Sequence, residues 1–312
     1  MPHRILGLHH VTATSDAARP DLDFYTGVLG LRLVKKTVNF DNHFVYHFYY
    51  GTERGAPSTI MTTFPYRGWG VPEGVKGAGQ ITATSFAVPA ESLGFWRRRL
   101  EAAGVTLVVG GPGQVDDRLV FSDPSGLILE LRASARDERA PWLASGIGQD
   151  EAIRGLHSVT LSLRSLDRSL SLLTGLLGFT VVSEVKGRIR VAAGGDSPGH
   201  WMELQAAPDA PAALNGTGTV HHVAMAIGTE EEQLAVREEL IAAGRTVTEV
   251  RDREYFKSIY FREPGGVLFE IATTAPGFTV DEPMASLGES LKLPPWEEPS
   301  RAEIERRLPP LE

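Results

Sequence analysis

No cysteine occurs in the 312-residue chain. Disulfides, thiolate nucleophiles and thiolate-held metals are therefore excluded, and any bound metal must rely on imidazole or carboxylate. No apolar run approaches the length of a membrane-spanning helix. The opening stretch MPHRILGLHH lacks the apolar core of a signal peptide, so a cytoplasmic location is expected. Positive charge is not in excess. Lys and Arg number 31 against 39 Asp and Glu, a net of -8, which argues against nucleic acid or an acidic membrane as partner. Two catalytic signatures are missing as well. Gly110-Gly111-Pro112-Gly113 is not followed by Lys-Ser or Lys-Thr at phosphate-loop spacing and reads as a turn. No GxSxG elbow accompanies a triad. What remains is an ordinary globular composition, 42% hydrophobic and 22% charged, with room for one large or two ordinary domains.

Internal repetition is the strongest global signal. Four stretches open alike: Gly7-Leu8-His9-His10-Val11-Thr12, Gly79-Gln80-Ile81-Thr82-Ala83-Thr84, Gly155-Leu156-His157-Ser158-Val159-Thr160 and Thr219-Val220-His221-His222-Val223-Ala224. Each has the apolar, β-branched character of a strand. A helix is expected after each, near 19–28, 90–103, 166–173 and 230–243, with Gly at or just beyond the ends. The closing segments match too: FSDPSGLILEL from Phe121 parallels FREPGGVLFEI from Phe261, an offset of 140 that also carries Thr82 onto His222. The second of these reads as strand, tight turn at Glu263-Pro264-Gly265-Gly266, and strand. The fold class is therefore α+β: four βαβββ modules making curved mixed sheets. The expected division is 1–135 for modules one and two, 136–154 as linker, 155–273 for modules three and four, and 274–312 as a proline-rich tail. That tail should wrap the surface with a short helix near 301–308, and its Phe278 and Trp296 could cover a cleft or a subunit interface.

Glu270 stands inside an apolar strand, where an unpaired carboxylate is costly. A metal ion would explain it, with partners from the double histidines that recur in modules one and four. Neighbours on a strand face opposite ways, so one histidine of each pair should reach a shared ligand. Module three keeps His157 but has Ser158 beside it, and module two has Thr82. The position that varies is the better ligand, which selects His10 and His222 and leaves His9 and His221 to packing or support. Two imidazoles and one carboxylate make the ligand set of a non-haem Fe(II) site with open positions; Mn(II) is the alternative ion. By the repeat, a fourth ligand would lie at Met61, a poor ligand for such an ion. Modules two and three would offer Thr82, Ser158, Glu130 and Glu203, with no imidazole, so a salt-bridged core is expected there rather than a metal. Around the module-four hairpin, Arg253 could hold an anionic oxygen and Tyr260 could hydrogen-bond a phenolate. Thr12, Tyr255 and Lys257 are candidate pocket residues, and the aromatic stretch 40–50 is chiefly strand packing. His43, His47 and His200 read as incidental.

The GLHHVT, TVHHVA and FREPGGVLFEI motifs and the four-module layout resemble the vicinal oxygen chelate superfamily, which includes glyoxalase I and the extradiol dioxygenases. More narrowly, nearly the whole chain is similar to hydroquinone-type ring-cleaving dioxygenases. The resemblance implies metal ligands at His10, His222 and Glu270, supporting histidines at His9 and His221, and an active-site arginine and tyrosine at Arg253 and Tyr260. It implies a small aromatic substrate, O2 as co-substrate, and an architecture that allows a homodimer. The rival readings are a glyoxalase-like isomerase or lyase on Zn(II) or Ni(II), which needs a fourth strong ligand, a non-catalytic binding protein, and a structural scaffold.

Overall fold

In the computed structural model, residues 4–108, 117–144 and 146–311 are described; the turn expected at Gly110-Gly113 lies outside them. Every module is strand, helix and three strands. Module one holds β1 (Ile5–Ser15), α1 (Ala18–Leu22), β2 (Arg32–Asn39), β3 (Asn42–Gly51) and β4 (Ile60–Pro65). Module two holds β5 (Gln80–Pro89), α2 (Leu93–Ala102), β6 (Leu107–Val108), β7 (Arg118–Ser122) and β8 (Ile128–Ser134). Module three holds β9 (Gly155–Leu163), α3 (Asp167–Gly175), β10 (Thr180–Val185), β11 (Arg188–Ala192) and β12 (Trp201–Ala206). Module four holds β13 (Thr219–Ile227), α4 (Glu230–Ala242), β14 (Arg251–Asp252), β15 (Lys257–Arg262) and β16 (Leu268–Thr273).

The four helices fall where Pro, Gly and the apolar spacing place them. The first is the exception in kind: α1 runs on as a π-helical stretch, Asp23–Val28. α4 is started by a capping box, in which Thr229 accepts from Glu232 N and Glu232 accepts from Thr229 N. It stops at Gly244, whose φ of +76° suits glycine. The β15–β16 turn closes on Gly266, at φ +103°, with Gly266 N donating to Glu263 O.

The first sheet is not assembled from modules that are neighbours in sequence. It has the order β14-β15-β16-β13-β1-β4-β3-β2, and the second β10-β11-β12-β9-β5-β8-β7-β6. Modules one and four share the first sheet, and modules two and three share the second. The expected halves, 1–135 and 155–273, thus give one module each to both sheets; the first sheet joins the first and last modules, and the second is built from two consecutive ones. Two long connectors make this possible. The segments after β4 and after β12 each leave one sheet for the other, and they run side by side through Glu73–Thr217, Val75–Leu214 and Ala78–Ala212 bridges. A single apolar cluster spans all four modules and includes Val11, Phe86, Val159 and Val223. A second, smaller cluster of Val34, Tyr49, Ile60, Tyr255, Phe256, Phe278 and Leu287 lies under the first sheet. The tail seals it: buried Lys35 Nζ meets Asp281 and Glu282, each at 2.5 Å. Trp296 rests against Phe40, ring centroids 5.6 Å apart, and the tail ends in α5 (Arg301–Arg307).

Candidate metal centre

The antiparallel junction of β1 and β13 brings the two double histidines together. Thr12 lies opposite His222, and His10 opposite Ala224, so all four share one face. β16 runs parallel to β13 with Glu270 beside Ala224, and Tyr260 on β15 lies opposite Glu270. One face of four strands therefore carries the expected trio. Their ligand atoms all lie within 4.8 Å of one another, and all three side chains are buried. Glu270 Oε2 is 2.8 Å from His222 Nε2 and 3.3 Å from His10 Nε2, and the two Nε2 atoms are 3.4 Å apart.

The hydrogen-bond network shows what these atoms present to each other. His10 Nδ1 is 2.9 Å from His9 Nδ1, and His222 Nδ1 is 2.7 Å from His221 Nδ1. Each contact needs one N–H and one lone pair. Burial, reinforced by the neighbouring His10, drives His9 down to about 3, and burial with His222 does the same to His221. Both are thus neutral. His9 is also hydrogen-bonded to the backbone of Thr273. A proton donated to that carbonyl leaves His9 Nδ1 as an acceptor, so His10 carries its proton on Nδ1 and turns the Nε2 lone pair inward. His222 Nε2 likewise faces inward, towards Glu270, with its Nδ1 against His221. Two imidazole nitrogens and a carboxylate oxygen thus converge on one small buried volume, the donor set of a divalent cation. The residues fit a divalent metal. Burial pushes the Glu270 carboxyl up, but the His10 and His222 imidazoles in their protonated form outweigh it and hold it well below the ordinary range. Its other oxygen, Oε1, accepts from Ser258 Oγ, which fixes the carboxylate's orientation.

Adjacent histidines can touch because the strands are bulged. Between Leu8 and His10 the register skips His9, and between Thr12 and Ala13 the partner strand skips His221. A bulge re-aims the extra side chain, so neighbours that should oppose each other meet edge to edge. The same skips occur at Thr82 and His157 in the β5–β9 junction. This corrects the repeat alignment by one residue: Thr82 corresponds to His221, and Ala83 takes the place of His222. Another one-residue correction applies in module one. Thr12 pairs with Thr62 as Ala224 pairs with Glu270, so Thr62, not Met61, stands at the fourth ligand position. Met61 belongs to the apolar core. Thr62 Oγ1 donates to Thr12 Oγ1 at 2.8 Å and is 2.9 Å from His47 Nε2. A neutral hydroxyl already so engaged leaves that side of the centre open.

A cavity of about 290 Å³ opens there, lined by His10, Thr12, His47, His222, Tyr260 and Glu270, with Phe40, Phe64, Phe256 and Leu268 among its walls. Arg253 and His221 also line it, whereas His9 lies behind it. Arg253 Nε donates to Tyr260 Oη at 3.2 Å. Burial first, then Glu270, pushes the Tyr260 hydroxyl up against the pull of Arg253, so it stays protonated. Two expected pocket residues are elsewhere. Lys257 points to the opposite face from Ser258 and Tyr260 and pairs with Glu230 at 2.7 Å. Tyr255 is buried under the sheet, its hydroxyl donating to Asp281 at 3.1 Å. Sequence reading passed over Ser258 and His47. Ser258 stands two residues before Tyr260 and shares its face, which was the available signal; His47 sits in an aromatic strand where nothing set it apart.

The second sheet has no such trio among the described residues. Arg132 fills the equivalent place. Its Nε donates to Glu130 at 2.7 Å, and its Nη1 is 3.2 Å from Glu203, which Arg188 and Arg190 also hold at 3.1 and 2.9 Å.

Residues 7–131 and 155–271 match the Glyoxalase/Bleomycin resistance protein/Dioxygenase superfamily. The chain belongs to this superfamily. Within it, the chain is 44% identical over 310 residues to the "Putative ring-cleaving dioxygenase MhqE" of Bacillus subtilis (strain 168), covering 98% of this chain and 99% of that protein. It is 34% identical to the "Chlorohydroquinone/hydroquinone 1,2-dioxygenase" of Sphingobium indicum, covering 99% and 97%. A crystal structure titled "putative dioxygenase from Bacillus subtilis subsp. subtilis str. 168" superposes with a TM-score of 0.93 at 40% identity, over 99% of this chain and 98% of that one. The superfamily's module repeat and the His10, His222 and Glu270 centre are thus found together in one chain.

Proposed function

We propose that the protein is a non-haem Fe(II) dioxygenase that cleaves the ring of a hydroquinone-type aromatic with O2, Mn(II) being the alternative ion. The observation that carries this is the His10, His222 and Glu270 centre, open on one side to an aromatic-walled cavity. Full-length likeness to proteins named as ring-cleaving and hydroquinone dioxygenases supports it.

Held by these three residues, Fe(II) supplies the electron exchange between ring and oxygen. The chain's own groups supply placement and protons. Phe40, Phe64, Phe256 and Leu268 give the ring apolar contact and keep water out. Tyr260, its oxygen receiving Arg253 Nε, keeps its own proton free to donate to a substrate oxygen. Thr12 has the same freedom, because its oxygen accepts from Thr62, which is backed in turn by His47. Burial keeps His47 well below its ordinary range, so it enters this chain neutral. Arg253 adds positive charge where an ionised hydroxyl would rest. The test is anaerobic Fe(II) reconstitution followed by oxygen uptake with hydroquinone, its chlorinated and methylated forms, and catechol, with product masses. Uptake with one O2 added to a ring-opened product is expected, and His222→Ala should abolish it. Metal-loaded protein that consumes no oxygen with any of these would refute the reading.

A further inference from the structure

β14 and β2 are the outermost strands of an eight-stranded sheet, yet one side chain joins them. Asp41 lies in the turn between β2 and β3. Its Oδ1 accepts from Arg251 Nη1 at 3.0 Å and its Oδ2 from Arg253 Nη2 at 2.9 Å. Arg253 then reaches inward, Nε to Tyr260 Oη at 3.2 Å. The turn is held in place from behind. Asp41 N donates to Asn39 Oδ1 at 2.9 Å, Asn39 Nδ2 donates to Tyr66 Oη at 2.8 Å, and Phe40 packs on Trp296. Curvature has brought the two ends of the sheet together over the metal centre, and a module-one carboxylate completes a module-four pair.

We propose that Asp41 is a positioning residue: by clasping Arg251 and Arg253 across the cavity mouth it fixes Arg253 Nε on the Tyr260 oxygen. An arginine side chain has many rotamers to choose from. Held on one edge alone, the Arg253 guanidinium could swing away from Tyr260; held on both, it cannot. Stability does not account for the clasp. Asp41 is 57% exposed and Arg251 46%, so even with Arg253 largely buried both pairs are open to solvent at the carboxylate and contribute little to stability. The gain is geometric, and it is worth most where a proton or a developing charge must be met.

This inference rests on the proposed ring-cleavage chemistry, so the experiment has one arm that needs no turnover. In the first arm, Asp41→Asn is expected to lower kcat with hydroquinone about tenfold, with KM within about twofold and with unchanged Fe(II) content and melting temperature. Asp41→Glu should recover most of the rate. Raising NaCl from about 0.05 to about 0.5 M should slow the wild type but not Asp41→Asn, because the clasp is screened. In the second arm, 4-nitrophenol is bound to the Zn(II)-loaded protein and its ionisation is followed by absorbance. The bound phenol should ionise at higher pH in Asp41→Asn, by roughly half a unit or more, because the displacement of Arg253 from beside it outweighs the loss of the more distant, solvent-screened Asp41 charge. An Asp41→Asn protein with wild-type kcat and an unmoved nitrophenol midpoint would overturn the proposal, as would a loss matched by a fall in melting temperature. If the wild type consumes no oxygen with any dihydroxybenzene, ring cleavage has failed, and the nitrophenol arm alone decides on Asp41.

Discussion

His9 and His221 shape the centre without facing the ion. Each meets, through its Nδ1, the Nδ1 of the ligand histidine beside it and so fixes that ring's orientation, while Ser258 Oγ donates to Glu270 Oε1. Removing such a partner frees the ligand to turn or to take the wrong tautomer, which typically costs about 10- to 100-fold in metal affinity. We expect His221→Phe and His9→Phe each to weaken Fe(II) binding by about that factor, measured by competition with a coloured chelator, and Ser258→Ala by a smaller factor. Equal affinity in all three would mean that the ligands are held by packing alone. The double histidines were conspicuous in the sequence because they recur at one place in the repeat. Ser258 was not, because a serine in a strand carries no mark of what it touches until its partner strand is known.

At the scale of the strand, the decisive device is the bulge. It occurs at His9, Thr82, His157 and His221, once in each module, and it shifts the remainder of the strand by one residue. Alternation read from sequence assumes an unbroken pleat, and a one-residue slip exchanges the two faces. That is why an unbroken pleat puts Met61 at the fourth ligand position that Thr62 holds, and aligns Thr82 instead of Ala83 with His222. The helices, the β15–β16 turn and the inward register of Glu270 were legible, since each is signalled locally by Gly, Pro or periodicity. The correction is testable. Met61→Leu, a near volume-conserving core change costing less than about 1.5 kcal/mol, should leave Fe(II) binding and oxygen uptake as they are. Thr62→Glu should offer a fourth carboxylate, retain metal more firmly against a chelator, and stop oxygen uptake by closing the open side. A folded Thr62→Glu protein with unchanged metal affinity and turnover would show that this position lies outside the coordination sphere.

At the scale of the molecule, four similar modules make one metal centre and one charge cluster; the double histidines signalled that modules one and four share the centre, whereas the division of the chain at 136–154 does not follow the sheets. Pairing is set by contacts between segments far apart in sequence, and the linker at 136–154 marks a boundary in sequence that neither sheet respects. The outcome matters for function: among the described residues, the β1–β13 junction alone brings histidines from two modules onto one face, His10 opposite Ala224 and His222 opposite Thr12. The other junction carries Glu130 and Glu203 with no imidazole, and there Arg132 supplies the positive charge that a metal would. Removing one partner of a buried charge cluster typically costs about 3–5 kcal/mol, because the remaining charges stay buried and uncompensated. Arg132→Met should therefore lower the unfolding free energy measured by urea titration at pH 7 by an amount of that order, while Fe(II) content per folded chain stays the same. The pH dependence has a definite sign. Burial pushes the Glu130 carboxyl up, but Arg132 and its companions outweigh it, so its folded value lies below the unfolded value of 4.5. Its contribution is thus complete above that pH and is lost as pH falls through the folded value. In Arg132→Met, burial acts with less opposition, Glu130 takes up a proton sooner on acidification, and part of the penalty disappears. The stability gap between wild type and variant should accordingly narrow from pH 7 towards pH 4. A gap that stays constant or widens on acidification would mean that Arg132 contributes through packing and not through its charge.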